Sequence, residues 1–328
     1  MQPRDHSRLL YLVSGSPPDC VAHHRFVDLP SLLHPGDLLI VNQTRVMKSR
    51  LRFHRAGGRT GELLLVRPEG GDLTTAPTWR ALGRPASALR PGRVVELSGG
   101  SLARVERREG EMLVISSDVP LWSVAEREGE VPLPPYIERP RGPSHEDASD
   151  YQTIFAKQPG AAAAPTASLH FTDRVLEALR ERGVHLAPLT LHVGPGTFLP
   201  IRQEHEADIR SHVMHEELYE IPEATLAAIG EAHDSGGRLI AVGTTVVRAL
   251  ETYAGTGVAA GASSLFIYPG FQFRLTQGLV TNFHLPRSTL LAMVCAFAGR
   301  ERVLAAYAEA LAAGYRFFSY GDAMLIWP

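Results

Sequence analysis

The sequence has 328 residues, 44% hydrophobic and 21% charged, a balance typical of an ordinary soluble protein long enough for two domains. Its two cysteines, Cys20 and Cys295, provide neither a disulfide framework nor metal-site spacing, which favours a reducing cytoplasm. The first residues lack the apolar core of a signal peptide, and the longest apolar run, residues 290–298, is too short to cross a bilayer.

The first 49 residues alternate between strands and turns. Residues 8–13 predict a strand, residues 23–33 a turn and a short helix, and residues 38–41 a buried strand after a turn at Gly36.

From residue 50 to residue 131 short strands recur at 50–54, 63–66, 94–97 and 112–115, separated by clusters rich in glycine and proline. This rhythm predicts a small all-β unit, a barrel.

The remainder of the chain has a different pattern. Residues 131–137 form a rigid extended segment rich in proline, and residues 139–149 predict a polar, mobile loop. Strands at 239–242 and 265–268 then alternate with helices at 223–233, after Thr245, at 288–297 and at 300–313. Such alternation predicts an α/β sheet with helices. We therefore expect an α/β catalytic domain from residues 1–49 and 132–328, with a β-barrel domain inserted at 50–131.

Residues 160–172 combine a wall of small side chains with an imidazole and an aromatic ring. Pro165 and Thr166 interrupt the alanine run, and His170 and Phe171 stand directly before a helix that Thr172 can cap. The alternative to a ligand site is a tight core turn with a hydrogen-bonded histidine.

Three further segments have the residue types of a ligand site. Gly243, Thr244 and Thr245 lie between a buried strand and a helix, where free amides favour a carboxylate or phosphate, although a plain turn is equally consistent. Asn282 and His284 follow a strand at the end where α/β sheets bind ligands. Asp322 lies among aromatic residues, and a carboxylate with such neighbours suits the binding of an organic cation. The alternative is an aspartate in a plain turn.

The pair His212 and His215, with Glu216, places two imidazoles and a carboxylate close together. With His192 or His205 they form a candidate zinc site, but the spacing is not that of a metalloprotease helix and no cysteine joins them. We favour an acid–base or hydrogen-bonding role over a metal.

Basic residues outnumber acidic ones 14 to 5 between residues 45 and 108, although the whole chain has a net charge of −2. As a strand, residues 50–54 point Arg50 and Arg52 to one face and apolar side chains to the other. This separation of charge indicates an anionic partner such as RNA, and the alternative is a solvated strand without a partner. The candidate contacts are Arg45, Lys48, Arg50, Arg52 and Arg55.

Several long motifs stand in one order along nearly the whole chain: LPPYI, DYQTIFA, APTASLHFT, TLHVGPGTF, AVGTTVVRALE, FIYPG, TNFHLPRSTLL and YRFFSYGDAMLI. Together they resemble the S-adenosylmethionine:tRNA ribosyltransferase-isomerase family of queuosine biosynthesis. The resemblance implies transfer of the ribosyl part of S-adenosylmethionine to 7-aminomethyl-7-deazaguanine at the tRNA wobble position. Adenine and methionine leave, and epoxyqueuosine forms. It also implies that no metal is required. We further expect no prosthetic group, no membrane association, a cytoplasmic location and a monomer.

The resemblance also suggests residue roles. A sulfonium acidifies the adjacent 5′ carbon, so a histidine with a near-neutral pKa suits removal of its proton or protonation of adenine. The catalytic candidates are His170, His192, His215, Glu216, His284 and Asp322. The candidates for binding S-adenosylmethionine are Thr166, Phe171, Gly243, Thr244, Thr245, Asn282, Phe283 and Tyr320.

The sequence departs from the family pattern in three places. A further segment is expected before the arginine-rich start, Gln43 stands where aspartate is usual, and Ser168 stands where glycine is usual. Glutamine forms hydrogen bonds but cannot accept a proton as a carboxylate does. The alternatives are therefore a diverged relative acting on a free deazapurine and a non-catalytic RNA-binding protein on the same scaffold.

Overall fold

A computed structural model describes residues 3–15, 20–134, 136–137, 145–194 and 208–328. A mixed sheet of nine strands forms its centre. In spatial order the strands are β15 (Ala260–Ser263), β13 (Glu217–Glu220), β12 (His185–Leu191), β3 (Leu38–Asn42), β14 (Leu239–Val242), β16 (Gly278–Asn282), β17 (Ala323–Ile326), β1 (Arg8–Leu12) and β2 (Val21–Arg25).

Four neighbouring strands of this sheet run in the same direction. β3 pairs in parallel with both β12 and β14, and β14 pairs in parallel with β16. Their carboxyl ends therefore meet at one edge, which brings Asn42, Leu191, Val242 and Asn282 to the same side of the molecule. In open α/β sheets this is the edge where ligands bind.

Successive residues of the central strands point to opposite faces of the sheet, as strand geometry requires. On one face, Leu38, Ile40 and Ala241 belong to a core with α4 (Glu223–Asp234), α5 (Thr244–Thr256), α6 (Thr289–Ala298) and α7 (Arg300–Ala312). On the other face, residues such as Leu39 and Val242 pack with α3 (Asp173–Glu181) and the 3-10 helix Phe26–Leu32. The nine-stranded sheet is therefore covered by helices on both sides.

A second sheet is antiparallel throughout and has its own core around the buried Trp79. A bridge between Phe53 and Leu97 connects its first strand to its last, so the sheet is nearly closed. Its strands, in spatial order, are β5 (Arg50–His54), β6 (Thr60–Pro68), β7 (Thr78–Arg84), β10 (Met112–Ser116), β9 (Leu102–Glu109) and β8 (Val94–Glu96), and α1 (Leu121–Glu128) packs against them.

The remaining elements are short. β4 (Thr44–Val46) pairs in parallel with β11 (Gln158–Ala161). Gln152, two residues after α2 (His145–Asp150), accepts a hydrogen bond of 3.1 Å from Val46 N through its Oε1. Within the described residues, no helix is long and apolar enough to cross a membrane.

The predicted mixed sheet with helices and the barrel-like β unit are confirmed, and several element predictions are wrong. Residues 265–268 do not form a strand. The strand in this part of the chain is β15, which ends at Ser263. Residues 145–149 belong to a helix, whereas the other part of the predicted loop, 139–144, lies outside the described residues. The strands that the sequence also missed are β2, β4, β7, β9, β11, β12, β13 and β17.

Candidate active site

A cleft opens at the edge where the parallel strands end, and it encloses about 670 Å³ of space, including the part open to solvent. It is lined by the small-residue segment 164–167, the start of α5, the segment that follows β16, and two aromatic residues. Its lining residues are Tyr136, Ala164, Pro165, Thr166, Ala167, Val193, Gly243, Thr244, Thr245, Thr281, Asn282, Phe283, His284, Leu285, Ser288, Leu290, Phe318 and Ser319. Of the predicted site residues, seven line this cleft: Thr166, Gly243, Thr244, Thr245, Asn282, Phe283 and His284.

The N-terminus of α5 forms one wall of the cleft. Gly243 adopts φ = 96°, which L side chains rarely adopt, and this glycine turns the chain from β14 directly into the helix. The helix has no side-chain cap at Gly243. Asn42, at the end of β3, donates to Thr245 Oγ1 (3.3 Å) and to the Leu191 carbonyl (2.9 Å), and this ties the helix start to two strand ends. This wall presents backbone amides and the positive end of a 13-residue helix to the cleft.

His284 is the histidine that lines the cleft. Its Nε2 lies 2.8 Å from Thr281 Oγ1, and its backbone N–H donates to the Tyr307 hydroxyl at 2.9 Å, so both ring and backbone are fixed. Burial lowers the pKa of His284 to about 4. Within the described part of the chain, Nδ1 has no hydrogen-bonding partner. His284 is therefore a neutral imidazole at neutral pH, and in the tautomer whose Nε2–H donates to Thr281 Oγ1, Nδ1 is the nitrogen that accepts a proton.

His170 lies behind the cleft wall. It is 4% exposed; its Nδ1 is 2.8 Å from Ser7 Oγ, its Nε2 is 3.1 Å from Asn282 Nδ2, and its ring stacks on Phe26. Burial lowers its pKa to about 4, although the Asp322 carboxylate acts in the opposite direction. Both ring nitrogens are engaged inside the protein, so His170 reaches the cleft only through Asn282.

The other predicted histidines lie in different places. His192 is half-buried with Nδ1 2.8 Å from Thr44 Oγ1, and burial lowers its pKa to about 4, while its neighbour Val193 lines the cleft. His215 is exposed, and the exposed Glu216 forms an ion pair of 3.5 Å with Arg67. The structure therefore does not bring His215 and Glu216 into the cleft.

Three predicted residues from aromatic segments are packed in the interior outside the cleft lining. Phe171 packs edge-on against Phe26 and Phe155, and Tyr320 packs edge-on against Tyr151. Asp322 is fully buried and accepts hydrogen bonds from the backbone N–H and guanidinium groups of two arginines. Burial alone raises the pKa of this carboxyl, but these bonds more than offset it, and the pKa lies below its usual value. The bonds come from Arg316 N (2.8 Å), Arg316 Nη2 (2.8 Å), Arg8 N (2.9 Å) and Arg8 Nε (3.3 Å).

The candidate RNA contacts have different environments. β5 alternates as predicted, with Leu51 and Phe53 buried. Arg52, however, forms two 2.9 Å hydrogen bonds with the Glu130 carboxylate, and Arg50 donates to the Leu133 carbonyl at 3.2 Å. Lys48 donates a hydrogen bond to the Glu126 carbonyl. Arg55 is half-buried, and Arg45 is exposed on β4.

Tyr136, Phe318 and Ser319 are cleft residues that sequence reasoning missed. Tyr136 lies in the motif LPPYI and Phe318 and Ser319 in YRFFSYGDAMLI, so the motifs contained them. From the second motif the sequence analysis selected Tyr320 instead. Ser319 Oγ lies 2.8 Å from the Tyr136 hydroxyl and joins the two segments.

Gln43 and Ser168, the two substitutions relative to the family pattern, lie outside the cleft lining. The Gln43 amide donates to Thr190 Oγ1 at 3.3 Å, and Ser168 is fully buried in the turn before His170. No group of three or more metal-ligating side chains occurs among the residues that the structure describes. His205, one of the candidate zinc ligands, lies outside the described residues.

Comparisons with known proteins give one consistent result. Residues 1–326 match the family model described as queuosine biosynthesis protein. The S-adenosylmethionine:tRNA ribosyltransferase-isomerase of Anaeromyxobacter dehalogenans is 51% identical over 99% of this chain and 93% of its own length. That of Rubrobacter xylanophilus is 49% identical over 99% and 92%. The crystal structure of S-adenosylmethionine tRNA ribosyltransferase from Thermotoga maritima is 32% identical, covers 99% of this chain and 94% of that chain, and has a TM-score of 0.53.

Proposed function

The chain belongs to the queuosine biosynthesis protein family, and from that premise we propose that it is an S-adenosylmethionine:tRNA ribosyltransferase-isomerase. The observation that carries the proposal is the 51% identity to a relative of this name over 99% of the chain, with no large part left unmatched. The cleft supports it, since an anion-binding wall and a neutral imidazole line the same cavity. The substrates are S-adenosylmethionine and, in the cytoplasm, a tRNA that carries 7-aminomethyl-7-deazaguanine at the wobble position of its anticodon loop.

The proposed reaction has a defined balance of bonds. The aminomethyl nitrogen of the deazaguanine forms a new bond to the ribosyl group. The bonds from that group to sulfur and to adenine break, the ribose rearranges to an epoxycyclopentane, and methionine and adenine leave. A positively charged sulfur acidifies the adjacent 5′ carbon, so the first requirement is a group that accepts a proton next to it.

We assign that role to His284. It is the histidine of the cleft lining, and Thr281 fixes its ring through Nε2. Because burial lowers its pKa to about 4, the ring is unprotonated at neutral pH and can accept a proton without losing one first. This pKa lies below the near-neutral value expected of the base, so proton removal depends on the acidity that the sulfonium gives to the 5′ carbon. His170, in contrast, acts as a positioning residue because it contacts the cleft only through Asn282.

We assign the carboxylate of the methionine part to the N-terminus of α5. Backbone amides in the first turn of a helix, together with its dipole, bind anions. The hydroxyls of Thr244 and Thr245 line the same wall, and Thr166 faces it from the small-residue segment. The small side chains of Ala164 and Ala167 leave room for a substrate to lie against the backbone of that segment.

A single incubation tests the function. The purified protein is mixed with S-adenosylmethionine and tRNA that carries the deazaguanine precursor, and mass spectrometry follows epoxyqueuosine in the tRNA and free adenine. Both products are expected in equal amounts. Adenine release with the free deazapurine base but not with tRNA would identify the small-molecule alternative. Binding of tRNA without release of adenine would identify the non-catalytic one.

A further inference from the structure

Two stacked aromatic rings form part of the cleft wall. The Tyr136 and Phe318 ring centroids are 4.9 Å apart with an angle of 25° between the planes. A hydrogen bond of 2.8 Å between the Tyr136 hydroxyl and Ser319 Oγ fixes the tyrosine side of the stack. Phe318 is 36% exposed, whereas Phe283, also in the cleft lining, is fully buried. The stack therefore presents its phenylalanine to the solvent side of the cleft.

The backbone at Phe318 is in an unfavourable conformation. Its φ is +73°, in the left-handed region where a bulky side chain is rare and a glycine is free of strain. Three hydrogen bonds hold it there: Phe318 N–H donates to the Phe283 carbonyl (3.1 Å), and the Phe318 carbonyl accepts from Gly321 N–H (3.0 Å) and from Asn282 Nδ2 (3.4 Å). A strained residue that its surroundings fix in place is typical of functional sites. Core packing alone does not account for this residue, because 36% of it is exposed.

The ring has the properties of a platform for a planar base. Proteins recognise single-stranded RNA loops by stacking unpaired bases on aromatic side chains. Another part of the cleft lining has the helix amides that suit an anion, and His284 lies on the segment after β16. The proposed reaction brings together two purine-like rings: the adenine of S-adenosylmethionine and the deazaguanine of tRNA. The deazaguanine stays attached to a macromolecule outside the cleft, so it suits a platform at the exposed rim of the cleft, where Phe318 lies.

We propose that Phe318, backed by Tyr136, is the platform on which the wobble 7-deazaguanine of tRNA stacks during the reaction. The inference rests on the proposed function and specifies which residues hold its second substrate. Exposed Arg287 lies between Leu285 and Ser288 of the cleft lining and adds a cation near the same opening.

The first experiment compares Phe318→Gly with Phe318→Trp. Glycine removes the ring and relieves the strain at φ = +73°, whereas tryptophan keeps an aromatic face. For Phe318→Gly we expect the affinity for precursor tRNA to fall about 5- to 150-fold, the equivalent of about 1–3 kcal/mol for one stacked base. Its affinity for S-adenosylmethionine should stay within about twofold, its melting temperature should be unchanged or higher, and Phe318→Trp should bind tRNA like the parent protein.

The second experiment links the ring to the base itself. An anticodon stem-loop with an abasic wobble position is bound to the parent protein and to Phe318→Gly. If the base stacks on Phe318, removing the base weakens binding to the parent protein. It has little further effect on the variant, because the free-energy effects of removing two groups that contact each other do not add. Phe318→Asn is the second variant, because asparagine tolerates a left-handed backbone and has no aromatic ring.

Each outcome decides the inference. Unchanged tRNA affinity in Phe318→Gly, or additive effects of the variant and the abasic site, would overturn it. A loss confined to S-adenosylmethionine binding would overturn it in favour of adenine, and a large fall in melting temperature in both Phe318→Gly and Phe318→Asn would make the ring structural. Failure of the parent protein to release adenine with precursor tRNA would refute the proposed function and is distinguishable from all of these.

Discussion

The side-chain amide nitrogen of Asn282 lies 3.1 Å from Nε2 of His170. The same nitrogen lies 3.4 Å from the Phe318 carbonyl oxygen, a position that requires an N–H donor rather than the amide oxygen. The amide therefore donates to Nε2, which has no proton, and Nδ1–H donates to Ser7 Oγ at 2.8 Å. His170 is thus held as one neutral tautomer that orients Asn282 at the cleft wall.

Substitution of the two histidines should separate a base from a positioning residue. We expect His284→Ala to lower kcat by about 10²–10⁴-fold, the usual contribution of a general base, with the affinity for S-adenosylmethionine nearly unchanged. His170→Gln retains an acceptor for Asn282 and should keep more activity than His170→Ala. Steady-state kinetics with both substrates and the pH profile of kcat check this. Near-parent turnover of His284→Ala would remove that residue as the base.

The stability of the fold should fall as the pH falls from 7 towards 4. Burial lowers the pKa of His170 from 6.5 to about 4, so below pH 6.5 the unfolded chain binds a proton that the folded chain excludes. The free energy of unfolding then decreases by up to about 1.4 kcal/mol per pH unit for such a histidine. Urea denaturation at pH 7 and pH 5 measures the slope. His170→Gln is the control and should have a shallower slope; an equal slope would mean that His170 does not contribute.

The salt dependence of tRNA binding should distinguish an exposed cation from a paired one. Arg45 is exposed, whereas the charge of Arg52 is neutralised by Glu130 through two hydrogen bonds of 2.9 Å. If Arg45 contacts a phosphate, Arg45→Ala should reduce the slope of log K against log salt by about 0.7–0.9. Arg52→Ala should change that slope less. Titrations at several salt concentrations measure both variants, and a larger change for Arg52 would place the tRNA on β5 instead.

Aspartate at position 43 should leave the activity unchanged or raise it. The Gln43 amide bonds to Thr190 at 3.3 Å and its residue does not line the cleft, so loss of this bond does not disturb the base or the helix start. We expect kcat/KM of Gln43→Asp to be no lower than that of Gln43→Asn, the neutral control of the same size. A large loss specific to the aspartate variant would show that Gln43 is adapted to a different substrate.

We propose that residues 50–131 form an inserted domain. Arg50 N–H donates to the Glu130 carbonyl at 3.1 Å and Glu130 N–H to the Arg50 carbonyl at 2.9 Å, so the chain enters and leaves the β unit at one antiparallel pair. Strands in such a pair are about 5.5 Å apart between Cα atoms, a gap that two glycines can span. Replacing residues 51–129 with Gly-Gly, which keeps the Arg50–Glu130 pair, should leave a cooperatively unfolding protein that binds S-adenosylmethionine, as followed by circular dichroism and calorimetry. A molten or insoluble product would contradict the proposal.

The sequence by itself determined the features that depend on neighbouring residues. Alternation predicted β5, and an apolar run followed by Gly243 predicted β14 and the start of α5. Thr172 was predicted as a helix cap, and its hydroxyl accepts from Val175 N. Each of these depends on local geometry: side-chain direction in a strand, backbone freedom at a glycine, or a bond spanning three residues.

Only the tertiary structure decided which side chains share the cleft. β9 escaped prediction because it ends in four successive charged residues, 106–109, and β15 is a strand because β13 offers it an edge. Asp322, which was predicted to bind an organic cation, instead forms hydrogen bonds with two arginines. Arg8 is distant from it in the sequence, and Arg316 is near. Phe318 rather than Tyr320 reaches the cleft because a hydrogen bond from residue 318 to Phe283 holds its backbone left-handed. Contacts of this kind depend on long-range packing, which local sequence patterns do not contain.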